Sequence, residues 1–137
     1  MKYLLILLFL LTAQGFSESF KEFLNKDWIL AATTRDGQVK AYFNKNELVK
    51  RDGKLFVWSI VSSKEKQRFG KSAKELIVTD CKKPYSFKQL SLTFYGEEMG
   101  EGNIVQTTPK EALDNLGLQY AVSNTIKEGV IDTACNF

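Results

Sequence analysis

The chain has 137 residues, 19 Lys/Arg against 16 Asp/Glu, and a formal net charge of +3 at pH 7. Its 44% hydrophobic and 12% aromatic content excludes a disordered chain and is enough for one real core. There is no histidine, which excludes Ser–His and Cys–His nucleophilic machinery and the commonest transition-metal ligand.

Met1-Lys2-Tyr3 leads into an unbroken apolar run from Leu4 to Leu11, then Thr12-Ala13-Gln14-Gly15. One positive charge, a short apolar core and small residues spaced Ala-x-Gly are the parts of a secretory signal peptide. Residues 1–15 are therefore expected to be cleaved, with a cut after Ser17 as the nearest alternative, leaving a single domain over 16–137. The run is far shorter than the roughly 20 residues that span a bilayer as a helix, so no transmembrane anchor is expected. A buried N-terminal helix is the competing reading. Export places the mature chain in the periplasm, at the cell surface of a Gram-negative bacterium, or in the medium.

Ser19-Phe20-Lys21-Glu22 has capping-box spacing, with Phe20, Phe23 and Leu24 on one face of a short helix. From Trp28 the period changes to that of a strand, running to Thr34. Asp36-Gly37 is a hairpin turn, and Val39–Phe43 the returning strand. Asp52-Gly53 is a second such turn, feeding the strand Leu55–Val61. That strand is apolar on both sides: Leu55, Val57 and Val61 on one, Phe56, Trp58 and Ile60 on the other. Such a strand is central and covered twice. Helices cover the two sides in the simplest arrangement, and a second copy of the protein in the alternative.

Ser63–Ser72 reads as a polar, basic loop, followed by strands over 76–81, 89–95 and 104–107. Gly96, Gly100 and Gly102 form a tight hairpin that needs positive backbone dihedrals. Thr108-Pro109-Lys110-Glu111 starts a short helix that Gly117 ends. Past Tyr120 the chain reads as helical to its end, with Val122, Ile126, Val130 and Ala134 at spacing four and Gly129 weakening it by up to about 1 kcal/mol relative to alanine.

Cys81 and Cys135 are the two cysteines. In an exported small domain an even pair reads as a disulfide, with two free thiols as the alternative. A bond between them would fasten the last helix to the sheet. The expected fold class is α+β: about six antiparallel strands with a C-terminal helix disulfide-linked across one face.

Charge is graded along the chain. Residues 35–88 carry fourteen Lys/Arg against six Asp/Glu, and residues 89–137 two against seven. Mutual attraction across the fold accounts for this most simply; a positive face toward anionic surfaces is the other reading.

Carboxylates are the remaining acid/base equipment, and Glu97, Glu98 and Glu101 cluster on the Gly-rich loop. They lack the regular Asp/Asn offsets of a calcium site, and the glycines match no phosphate-binding motif. Neither a metal, a cofactor nor an enzyme activity is expected. Lys64, Lys66, Arg68 and Lys71 concentrate charge on the basic loop. Export argues against a nucleic-acid partner for them and leaves either a solvated loop that blunts a sheet edge or a protein contact.

The order of these pieces resembles a known family. The Trp28 strand with its Asp-Gly hairpin is followed by Leu-Val-Lys-Arg-Asp-Gly at 48–53 and Val-Trp at 57–58. Then come a strand ending in Cys81, Tyr-Gly-Glu-Glu-Met-Gly-Glu-Gly at 95–102 and a terminal helix with the second cysteine. This is similar to the surface-adhesin protein E family of exported bacterial proteins over roughly residues 27–136. Two features depart from it: no cysteine follows the apolar run to carry a lipid, and Leu113–Tyr120 has no tryptophan. The resemblance implies a helix disulfide-linked to a sheet through Cys81 and Cys135, sometimes a homodimer, and adhesion to host extracellular-matrix or plasma proteins. The function expected is thus a non-catalytic exported binding protein of that kind. Its alternative is a soluble periplasmic protein that binds another envelope component.

Overall fold

A computed structural model describes residues 27–137. The signal peptide expected at 1–15 and the short helix expected around Ser19–Leu24 lie outside the described residues.

The chain forms one antiparallel sheet of eight strands: β1 Trp28–Thr33, β2 Val39–Asn44, β3 Val49–Arg51, β4 Lys54–Gln67, β5 Gly70–Thr79, β6 Ser86–Tyr95, β7 Ile104–Thr107 and β8 Gln119–Tyr120. The spatial order is β1-β2-β4-β5-β6-β7, with β3 beside β4 and β8 beside β6. β3 pairs with residues 54–56 of β4 on the side where β2 pairs with 59–63, so it prolongs the lane of β2. β8 likewise prolongs the lane of β7 along β6. Six lanes were expected, and eight strands fill them. The two additional strands are two and three residues long and largely exposed, too short and too wet for an alternating pattern.

Both Asp-Gly turns occur where the sequence puts them. Asp52 and Gly53 have φ of 53° and 75°, the pair of positive values that a two-residue hairpin matched to strand twist requires. At Asp36 the carboxylate accepts hydrogen bonds from the Thr34 hydroxyl (2.7 Å) and the Gln38 N–H (3.0 Å). These bonds, the Thr34 one foremost, hold its pKa below the usual carboxylate value.

One expectation is overturned between Ser63 and Ser72. Instead of a loop, β4 and β5 run on as a paired arm that turns at Arg68-Phe69, with Gln67 opposite Gly70. Residues 64–68 of the arm are exposed, so they carry charge where a half-buried strand would carry alternating apolar groups. Gly70 permits the tight turn: its φ is 104°, and a Cβ there would stand 2.2 Å from the Tyr95 carbonyl oxygen.

Two helices complete the fold, α1 Lys110–Leu116 and α2 Ile126–Cys135. Thr108 does not cap α1 as expected, because its N–H donates to the Leu92 carbonyl and keeps it on the sheet edge. The terminal helix begins five residues later than expected. Asn124 has a φ of 64°, which breaks the helical path, and Thr125 then caps α2 by accepting from the Glu128 N–H.

α2 lies across β1, β2 and β4. It buries Val130, Ile131 and Ala134 against Ala41, Phe43, Leu55, Val57 and Ile77. Full burial of each larger aliphatic chain contributes roughly 1.5–3 kcal/mol. The Cys81–Cys135 disulfide closes the far end of the helix onto the end of β5. Gly129, which looked like a weakness, is the point of closest approach: a Cβ there would meet the Ala32 Cβ at 2.8 Å. Gly129→Ala should therefore destabilise the protein by about 1–3 kcal/mol through overpacking, despite the better helix propensity of alanine. A gain in denaturation midpoint would refute this account of the contact.

Candidate functional site

The helix-bearing face of the sheet is divided in two by a polar row. Ser59 lies opposite Glu75 on neighbouring strands, and Glu75 is only 4% exposed. Its carboxylate accepts from Gln89 Nε2 (2.8 Å) and Ser59 Oγ (3.3 Å). It also contacts the ammonium of Lys127, which reaches down from the first turn of α2 and rests 5.1 Å above the Phe87 ring. Burial pulls the Lys127 ammonium down to about 8 from its ordinary value near 10.5. The carboxylate that it touches opposes that shift. The sequence carried no signal for this pair, since a Glu in a strand and a Lys in a helix each read as surface residues until the fold brings them together.

On one side of this row lies the part of the face that α2 covers. On the other lies an open groove of about 390 Å³. Val39, Val61, Ala73 and Phe94 form its walls and floor, and Phe69 packs against Phe94 with ring centroids 5.1 Å apart. The rim is polar and basic. Arg68 sets its guanidinium 5.3 Å from the Phe69 centroid. Lys71 lines the groove and pairs with Glu97 at 3.8 Å. A concave apolar surface with a few polar groups at the mouth is the usual form of a binding site.

The structure thus brings two of the four predicted basic residues, Arg68 and Lys71, to the groove. Lys64 and Lys66 are exposed on the β4 arm outside its lining. Phe69 and Phe94, the aromatic wall, are not assigned to a site by the sequence reading, nor are Val39, Val61 and Ala73.

The acidic hairpin between β6 and β7 folds over the opposite face. The Met99 N–H donates to Ser62 Oγ (3.0 Å) and the Gly100 N–H to Ser72 Oγ (2.8 Å), while Ser72 Oγ donates to the Glu97 carbonyl (2.6 Å). Gly100 and Gly102 have φ of 72° and 79°, as expected of this hairpin, whereas Gly96 does not take a positive φ and Met99, at 57°, does. Its carboxylates are spent on solvation and on Lys71. Among the described ion pairs, Lys71–Glu97 and Lys83–Asp132 join the basic middle of the chain to its acidic last third. The charge gradient acts at least partly inside the fold.

No helix among the described residues is long and apolar enough to cross a membrane. No curated protein and no solved structure matches the chain. Residues 28–136 match the family model described as Surface-adhesin protein E. That span takes in every strand, both helices and both cysteines, and the chain belongs to the surface-adhesin protein E family.

Proposed function

We propose that the protein is an exported, non-catalytic adhesin that holds a host extracellular-matrix or plasma protein in the groove between Phe69 and Phe94. The observation that carries the reading is this apolar groove with Arg68 and Lys71 at its mouth, in a chain of a surface-adhesin family. An apolar anchor from the partner fits the groove, and the arm charges steer it there. Rim charges mainly raise the association rate and its salt dependence, whereas a packed aromatic contributes to retention.

The test is surface plasmon resonance against purified matrix and plasma proteins. Changing Lys64, Lys66, Arg68 and Lys71 to alanine is expected to slow association and flatten its salt dependence. Phe69→Ala is expected to speed dissociation about tenfold, the effect of losing roughly 1.4 kcal/mol. Unchanged kinetics in both variants would remove the groove from the interaction.

Protease treatment of intact cells, compared with cells whose outer membrane is permeabilised, tests the location. Digestion on intact cells supports the adhesin reading. Protection until permeabilisation replaces it with the alternative, a periplasmic protein that binds another envelope component.

A further inference from the structure

The sheet face opposite α2 has a chemistry of its own. Trp28 stands opposite Asn44 and Trp58 opposite Leu76, while Leu30, Tyr42, Ile60 and Lys74 make the next cross-strand row. The 98–100 turn packs over one end of this face, against β4 and β5, and leaves Ile60 only 2% exposed. Beyond that turn Trp28, Phe56 and Trp58 are half-buried. The ammonium of Lys74 lies 5.0 Å from the Trp58 centroid and 5.7 Å from that of Trp28, so both indoles converge on one cation.

Strand alternation puts Lys40, Lys54 and Lys88 on the same face, and no strand position of this face is acidic; the acid that reaches it is Glu98 of the covering turn, whose charge, after burial, raises the pKa of Tyr42. Indole surface and ammonium groups are thus interleaved on a sheet face with no opposing charge among its strands. Aromatic rings stack on the C–H faces of sugar rings, and ammonium groups pair with sulfates and carboxylates, with a salt dependence set by screening. The half-buried rings offer surface for stacking and little length for insertion into lipid. An extended polymer matches a face on which lysines recur across β2, β4, β5 and β6.

We propose that this face binds a linear sulfated polysaccharide, with sugar rings stacked on Trp28 and Trp58 and sulfates held by Lys74 and the lysines around it. The site is separate from the groove, on the other side of the sheet, and stands without the reading given above.

The experiment is calorimetric titration of the purified protein with a heparin hexasaccharide, with tryptophan fluorescence as a second signal. Saturable binding that changes the fluorescence and weakens with salt is expected, and neutral dextran should give none. Lys74→Gln, which keeps most of the side chain's packing, should weaken binding at least tenfold with an unchanged melting temperature. Trp58→Ala should weaken binding as much, with some loss of melting temperature from the truncated ring, while Lys110→Ala, on α1 at the sheet edge, should leave binding intact. An equal loss with Lys110→Ala would reduce the effect to net charge and overturn the proposal. So would binding to phosphatidylglycerol vesicles without binding to the hexasaccharide, which would make the face a lipid contact. A Trp58→Ala variant that changes from dimer to monomer in sedimentation, with hexasaccharide binding unaltered, would assign the face to a second copy instead.

Discussion

Lys127→Met is expected to destabilise the protein by about 3 kcal/mol. Removing one partner of a buried ion pair costs roughly 3–5 kcal/mol, because the other charge is left without compensation. The lower end applies here, since the Lys127 side chain keeps 24% of its surface exposed, against 6% for Glu75. The same asymmetry orders the single variants. Glu75 sits in the middle of β5 and cannot leave, whereas an unpaired Lys127 at the start of α2 can swing its ammonium toward water. Glu75→Gln should therefore cost less than Lys127→Met. Replacing both, Glu75→Leu with Lys127→Met, should recover most of the loss, because two apolar groups need no desolvation offset. Urea denaturation of the three variants measures these differences. A cost below about 1 kcal/mol for Lys127→Met, typical of exposed pairs, would show that the pair is solvated.

Cys135→Ser should lower stability by about 4 kcal/mol. The two cysteines are 54 residues apart, and closing a loop of that length removes about that much chain entropy from the unfolded state. Part of the helix contact survives without the bond. Val130, Ile131 and Ala134 remain buried, and Tyr85 still donates to Asp132 at 2.6 Å. The variant should thus fold, with a melting temperature lower by on the order of 15 °C. Wild-type protein treated with a reductant should melt at the same temperature as the variant. Equal melting of variant and untreated wild type would mean that the bond is not closed in solution.

The fold was legible wherever one side of a strand is buried or a turn has a single solution. Asp36-Gly37 and Asp52-Gly53 fixed two hairpins, and the Trp28, Leu55 and Leu76 strands showed their period. The arm from Ser63 to Ser72 reads as a loop because its tip, residues 64–68, is exposed and its buried positions are Ser63, Gly70 and Ser72, so nothing apolar alternates. Leu90 misled in the opposite direction. The alternation of Leu90, Leu92 and Phe94 suggested one buried face, but a bulge falls between Ser91 and Gln89 in the pairing with β5, and Leu90 is 40% exposed. Of the site, Arg68 and Lys71 were visible as charge. The groove itself was not, since Val39, Val61, Ala73, Phe69 and Phe94 come from four strands and a turn and meet only through register. The Glu75–Lys127 pair was invisible for the same reason.

The disulfide also decides how the molecule carries mechanical load. Cys135 is two residues from the end of the described chain, and Cys81 closes β5, a strand in the interior of the sheet. Tension that enters from beyond Cys135 passes through the sulfur bridge directly into β5. The chain between the two cysteines, with β6, β7, β8, α1 and nearly all of α2, lies off the force path. At roughly 3.5 Å per residue, about 190 Å of extension is withheld. Under pulling, the protein would therefore yield only at the strands before Cys81.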